Sequence, residues 1–310
     1  MTVPFNSQTG AVWSAGNDVT GKTPVEIQVI VDNIKALETD PIQEEIFTRM
    51  DSTPNEYFSF QDINHAKNTV TQRLETRSMM HIFNTITDGR YVYAEPHKTP
   101  PIPVSTTANM WETGKPTNFF FRQKSGTAYD AITQLCDGSS QTKGECWGGI
   151  SACVWWGASR GMGKDAFNLL YPGVVLDMDI DRGSWNRNTA PAGDGSIHVP
   201  GDWLYLKNHN YIQAINYEEF NKKGWIDRKN QTYYWSGENS VYFGVEIYEG
   251  LGVVETTEDQ MREKLRTEYN ADLAQVIANG GKINGVTVVA ITELEAPAKI
   301  QWVRINRVKN

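Results

Sequence analysis

A chain of 310 residues is long enough to bury a full core without disulfide or metal staples. Its formal charge of -8, with no run of Lys or Arg, argues against nucleic acid as a partner. Mixed charges and an ordinary apolar content exclude a disordered chain, and no apolar stretch is long enough to span a bilayer. Ten Trp and thirteen Tyr suit a core, or a groove that grips a side chain or peptide. The start, Met1 to Ser7, lacks a basic and then apolar leader. That predicts cytoplasmic synthesis and leaves export by a specialised system open. The three cysteines, Cys136, Cys146 and Cys153, have no framework spacing and are expected to be free thiols.

Residues 1 to about 22 are rich in Gly, Asn, Ser and Thr and are expected to form a loose arm. Thr23-Pro24-Val25-Glu26 is a capping box, so a helix is predicted from there. A second helix is predicted after Ser59, with Ile63, Ala66, Val70 and Leu74 on one face. Pro96, Pro100, Pro101, Pro103 and Pro116 predict a loop from Glu95 to Pro116. A short buried strand at Phe119 to Phe121 and a helix over Gly126 to Leu135 follow. Gly144 to Gly149 reads as a turn feeding a buried helix. Gly201 to Asn208 alternates like a half-buried strand. Ser240 to Phe243 and Val245 to Tyr248 read as strands joined around Gly244. A helix is predicted over Glu258 to Ala278, with Met261, Leu265, Tyr269, Leu273 and Val276 inward. A last strand pair turns at Asn284-Gly285. Helices first and strands later, without βαβ alternation, indicate an α+β fold.

Cys146 stands at the start of the buried helix. There, free backbone N–H groups and the helix dipole favour a thiolate, and neighbouring glycines would let a substrate backbone approach. The plain alternative is a buried, inert thiol. Cys153, two helical turns on, reads as core, and Cys136 as incidental. A thiol nucleophile needs a base. His65, His81, His97, His198 and His209 carry no marking spacing, and none pairs with a Cys as zinc ligands do. Two acids stand in suggestive turns. Glu238 lies in Trp235-Ser236-Gly237-Glu238-Asn239, and Glu249 precedes Gly250-Leu251-Gly252. Each is either a base with a pKa raised by burial or a solvated turn acid.

Four blocks resemble the bacterial spore-coat protein-glutamine γ-glutamyltransferases. They are Glu145-Cys146 with its apolar helix and Gly163 to Asn168, then Gly201 to Asn208, then Trp235 to Asn239, then Gly250 to Gly252. Met50 to Pro54 and Asp62 to Phe83 add to the likeness, which covers about residues 40 to 255. It implies a papain-like (NlpC-type) α+β core with an added N-terminal arm and C-terminal hairpin. The implied division is an arm and helix over 1–40, a catalytic domain over 41–255, and a C-terminal helix and strands over 256–310. The implied activity is acyl transfer from a protein Gln to a Lys amine through a Cys thioester, with no metal or other cofactor. Cys146 matches the nucleophile and Glu238 the acid. Trp235 matches an aromatic of the substrate channel, and Asn239 and Trp147 are expected beside it. The family places a catalytic His before the Gly-Leu-Gly turn, where this chain has Glu249, so Glu249 is expected to act with Glu238. Deamidation by water, as in a toxin or effector, is a variant. A papain-like peptidase and a non-catalytic binding protein on the same fold are the alternatives.

Overall fold

The computed structural model describes residues 40–51, 63–94, 104–113, 121–176, 189–192, 197–208, 237–283, 286–287, 293 and 301–308. The expected arm, the helix from Thr23, and Trp235, His97 and His209 lie outside these residues.

Among the described residues two helices come first, α1 (Pro41–Asp51) and α2 (Ile63–Thr85). The Asp40 carboxylate caps α1, accepting from the N–H groups of Ile42 at 2.9 Å and Gln43 at 3.3 Å. Short strands follow: β1 (Val92–Tyr93), β2 (Ser105–Thr106), β3 (Trp111–Thr113) and β4 (Phe121–Gln123). The proline-rich segment is therefore not all loop. Between its prolines it holds β2 and β3. The next helix, α3 (Ala128–Cys136), is capped by Thr127, whose hydroxyl accepts from the Asp130 N–H at 3.2 Å. It buries Ala128, Ala131, Ile132 and Leu135 at helical spacing. Then come β5 (Thr142–Gly144), α4 (Cys146–Met162), α5 (Lys164–Leu170), β6 (Val175–Leu176) and β7 (Thr189–Ala192).

The second half supplies β8 (Trp203–Lys207), β9 (Gly237–Gly244), β10 (Ile247–Gly250) and β11 (Val253–Thr257). Helix α6 (Glu258–Ala278), β12 (Lys282–Ile283), β13 (Val286–Thr287) and β14 (Gln301–Val308) complete it. Six strands form one antiparallel sheet in the order β11-β10-β9-β8-β14-β7. The strand after residue 300 thus sits inside this sheet, between β8 and β7. One face of the sheet sends Trp203 and Val241 into a core shared with α2, α3 and α4. The other sends Leu204, Leu206, Tyr242 and Tyr248 against Met261 and Leu265 of α6. All five residues expected inward on α6 are buried. A reciprocal capping box starts that helix. Thr257 Oγ1 accepts from the Gln260 N–H at 3.3 Å, and Gln260 Oε1 accepts from the Thr257 N–H at 3.0 Å.

Two local expectations change. Gly237 to Asn239 form the start of β9, paired with Lys207 to Tyr205, rather than a turn. The β9–β10 turn falls on Val245 and Glu246, with φ of +51° and +58°, one step beyond Gly244. A β-branched residue resists that conformation. Contacts from α1 hold it: Glu45 accepts from the Val245 N–H at 2.9 Å, and Arg49 pairs with Glu246 at 2.7 Å.

The closest helix packing is α2 against α4. A Cβ on Gly157 would meet Thr76 Oγ1 at 2.1 Å and the Gln72 carbonyl oxygen at 2.3 Å. At Gly161 it would meet the Asn68 carbonyl oxygen at 2.5 Å. Backbone cannot retreat as a flexible side chain can. Gly157→Ala should therefore cost about 3 kcal/mol in a denaturant melt. Gly173→Ala, whose Cβ would approach Gln123 Oε1 at 4.0 Å and nothing nearer among the described residues, should stay within about 0.5 kcal/mol of the parent.

Candidate active site

Cys146 is the first residue of α4, with Glu145 as N-cap in extended conformation. The turn into the helix is fixed from behind. Ala94 N–H donates to the Gly144 carbonyl at 2.7 Å, and Tyr91 Oη donates to the Glu145 carbonyl at 3.0 Å. The glycines make room for Tyr91. A Cβ on Gly144 or Gly148 would meet its hydroxyl at 2.1 Å or 2.7 Å, and one on Gly149 would meet Leu251 at 2.6 Å. They therefore seat the protein's own side chains, in place of the substrate backbone expected from sequence.

The sheet supplies the other side of the site. Asn239 on β9 donates from Nδ2 to Cys146 Sγ at 3.4 Å. Its Oδ1 accepts from Trp203 Nε1 on β8 at 3.0 Å. Trp147, next to the thiol, packs edge-on against Trp203 at 5.2 Å and near Tyr205 at 6.2 Å. Glu238 precedes Asn239 and is buried, with 4 % exposure. Its Oε1 is sealed from solvent and has no hydrogen-bond partner among the described residues. Gly250 of β10 leaves space for it, since a Cβ there would lie 2.1 Å from that oxygen.

The electrostatics reverse one expectation. Burial pushes the Cys146 thiol far up, and the charges of Glu238 and Glu145 push it further. The N–H groups of the Asn239 side chain and the Trp147 backbone pull the other way and do not win. The resting sulfur is thus held as a thiol, although it starts a helix. Burial also raises Glu238, to about 8, with Lys264 opposing, and raises Glu145 to about 7. Cys136 and Cys153 are wholly buried, whereas Cys146 is half-buried.

The two acids whose charges reach the thiol are therefore Glu238 and Glu145. Glu249 is buried on β10 and faces α2. Its carboxylate meets His81 Nδ1 at 3.0 Å and accepts from Asn84 Nδ2 at 3.2 Å. Asn84 also donates to the Gly250 carbonyl at 2.9 Å and accepts from the Gly252 N–H at 3.0 Å, which pins the β10–β11 turn to α2. His198 Nδ1 lies 2.9 Å from Tyr248 Oη, and Arg49 donates to its carbonyl at 3.3 Å. His65 lies on α2, its carbonyl accepting from Thr69. Among the described residues no group of three or more His, Cys, Asp or Glu could hold a metal ion. None of the described helices is long and apolar enough to cross a membrane.

Sequence reasoning passed over Glu145 as an acid of the site. The available signal was its place, directly before Cys146 at the start of a helix that is apolar nearly all round. It also passed over Trp203 as a partner of Asn239. That contact depends on the register Trp203↔Val241 and Tyr205↔Asn239, which no local pattern specifies.

No curated protein matches the chain. Among solved structures, a transglutaminase from Geobacillus stearothermophilus (without its C-terminal extension) is similar. It is 17 % identical with a TM-score of 0.53, over 80 % of this chain and 95 % of that one, a likeness of fold. The sequence profile of the protein-glutamine gamma-glutamyltransferases matches residues 24–280. The chain therefore belongs to the protein-glutamine gamma-glutamyltransferase family.

Proposed function

We propose that Cys146 is the nucleophile through which this transglutaminase-family enzyme moves the acyl group of a protein glutamine to a lysine amine, with Glu238 as base. The observation that carries the reading is the half-buried thiol at the start of α4. It is held by the Asn239 N–H at 3.4 Å, and the charges of buried Glu238 and half-buried Glu145 act on it. A nucleophile at the end of a buried helix, packed on an antiparallel sheet, also supports the papain-like reading of the core.

The resting proton inventory sets the mechanism. Sulfur attacks the glutamine carboxamide carbon as its proton passes to the Glu238 carboxylate. That proton then moves to the departing nitrogen, and ammonia leaves a Cys146 thioester. A lysine amine attacks the thioester carbon and gives a proton to Glu238. Sulfur leaves, recovers the proton, and an isopeptide bond remains. A neutral thiol beside an acid that can alternate between charged and uncharged avoids holding two anions together in a poorly solvated place. Glu145 is a second acid that can accept the thiol proton. Trp147 forms part of the aromatic wall of the substrate site, and Trp235 is assigned to it by resemblance. Glu249 is assigned the task of fixing the β10–β11 turn, and through Gly250 the recess of Glu238.

Incubation with casein and a labelled amine, read by mass spectrometry, tests the reaction. Amine incorporation is expected. A gain of about one dalton on Gln (amide to acid) would indicate deamidation, and cut peptides a peptidase. An accessible thiol with no product would indicate a binding protein. Cys146→Ala should abolish incorporation, while Cys136→Ala and Cys153→Ala retain it. The reverse pattern would remove Cys146 from the mechanism.

Glu238 must be ionised to act as base, so the rate should rise with pH to a limb near 8. Glu238→Gln should lower the rate by about 10² or more and remove that limb. Stability has the opposite sign. The folded carboxyl is raised above its ordinary 4.5, so the folded state loses stability as pH rises from there through about 8. Glu238→Gln should therefore melt higher than the parent at about pH 9 and match it near about pH 4. A parent-like rate, or a lower melting temperature at alkaline pH, would contradict this role for Glu238.

A further inference from the structure

Asn239 makes two hydrogen bonds of opposite sense. Its Oδ1 accepts from the indole Nε1–H of Trp203 at 3.0 Å, and its Nδ2 donates to Cys146 Sγ at 3.4 Å. An indole nitrogen can only donate. It therefore dictates which end of the amide faces it. With the amide turned over, NH₂ would oppose the indole N–H and the amide oxygen would oppose sulfur. Both contacts would be lost together. Trp203 and Asn239 are buried, with 1 % and 2 % exposure, so water cannot take over either contact cheaply. Trp203 is itself held by the β8–β9 pairing and by the edge of Trp147.

We propose that Trp203 is a positioning residue of this site: its indole N–H locks the Asn239 amide so that an N–H is always aimed at the Cys146 sulfur, where it stabilises the thiolate formed at each turnover. The proposal rests on the reading of Cys146 as nucleophile. The need for such a donor follows from the charges around the sulfur. Glu145 approaches from before α4 and Glu238 from β9, and the Tyr91 phenol from before β1 feels the thiol's charge. The two acids oppose an anion there. Besides the Trp147 backbone N–H, Asn239 supplies the N–H that opposes them.

The test compares parent, Trp203→Phe and Asn239→Leu by the rate of iodoacetamide alkylation of Cys146, located by peptide mapping, at one fixed pH. Trp203→Phe keeps an aromatic ring and removes only the N–H, and Asn239→Leu removes the donor without adding charge. Both should alkylate Cys146 about tenfold more slowly, because the thiolate fraction falls when a hydrogen bond to it is lost. Amine incorporation should show a similar fall in kcat, with KM for the amine little changed. A purely structural role for Trp203 predicts the opposite sign, since a loosened site admits reagent faster. Parent-like or faster alkylation in either folded variant overturns the proposal. If Trp203→Phe does not fold, Asn239→Leu decides by the same reading. A label on Cys136 or Cys153, or an active Cys146→Ala, would instead overturn the nucleophile assignment itself.

Discussion

The site depends on burying the middle of one helix, from Gly148 to Gly161, and leaving its first residue half-buried. Helix α4 lies among α2, α3, α5 and the sheet, and it can do so because small residues face its tightest neighbour. Gly157 and Gly161 bring its backbone against that of α2, while Trp155 on its own course packs edge-on against Phe167 and Tyr171. A helix so enclosed must still satisfy the N–H groups of its first turn. At that end the chain places Cys146, with the Glu145 carbonyl held by Tyr91 and the thiol held by Asn239. The position of the Cys146 sulfur is thus a by-product of core packing, and any change that moves α4 moves the sulfur with it.

Burial also sets the chemistry. A helix start in water would favour a thiolate. In this protein desolvation and two neighbouring acids outweigh the dipole, and the sulfur keeps its proton until something removes it. The same burial lifts Glu238 into the range where it can take a proton and return it near neutral pH. One cause, burial at the junction of α4 with β9, therefore raises both the Cys146 thiol and the Glu238 carboxyl. On the proposed mechanism, the Asn239 N–H aimed at the sulfur offsets the anion when it forms.

Much of this was legible in the sequence, and the reasons differ by element. The α6 stripe from Met261 to Val276 repeats at helical spacing within a helix of 21 residues, so its inward face was determined locally. The apolar run after Cys146 marked a buried helix for the same reason. The β9–β10 turn was displaced by a step because Glu45 and Arg49, nearly 200 positions earlier, hold Val245 and Glu246 in conformations their own sequence disfavours. Glu238 and Asn239 looked like turn residues because Gly and Asn favour turns. The pairing of β9 with β8 made them strand. The family resemblance pointed to Cys146 and Glu238 but not to the charge balance around them, since that depends on which acids the packing brings close. Glu249 stood beside a glycine turn in sequence, and in space it serves α2 through His81 and Asn84.

The proposed reaction carries the acyl group on Cys146. Mixing the enzyme with a glutamine peptide and no amine, quenching in acid, and mapping the modified residue by mass spectrometry addresses it directly. One adduct is expected, on Cys146, with the mass of the peptide less ammonia. An adduct on Cys136 or Cys153, or amine incorporation with no adduct on Cys146 at any time point, would contradict it.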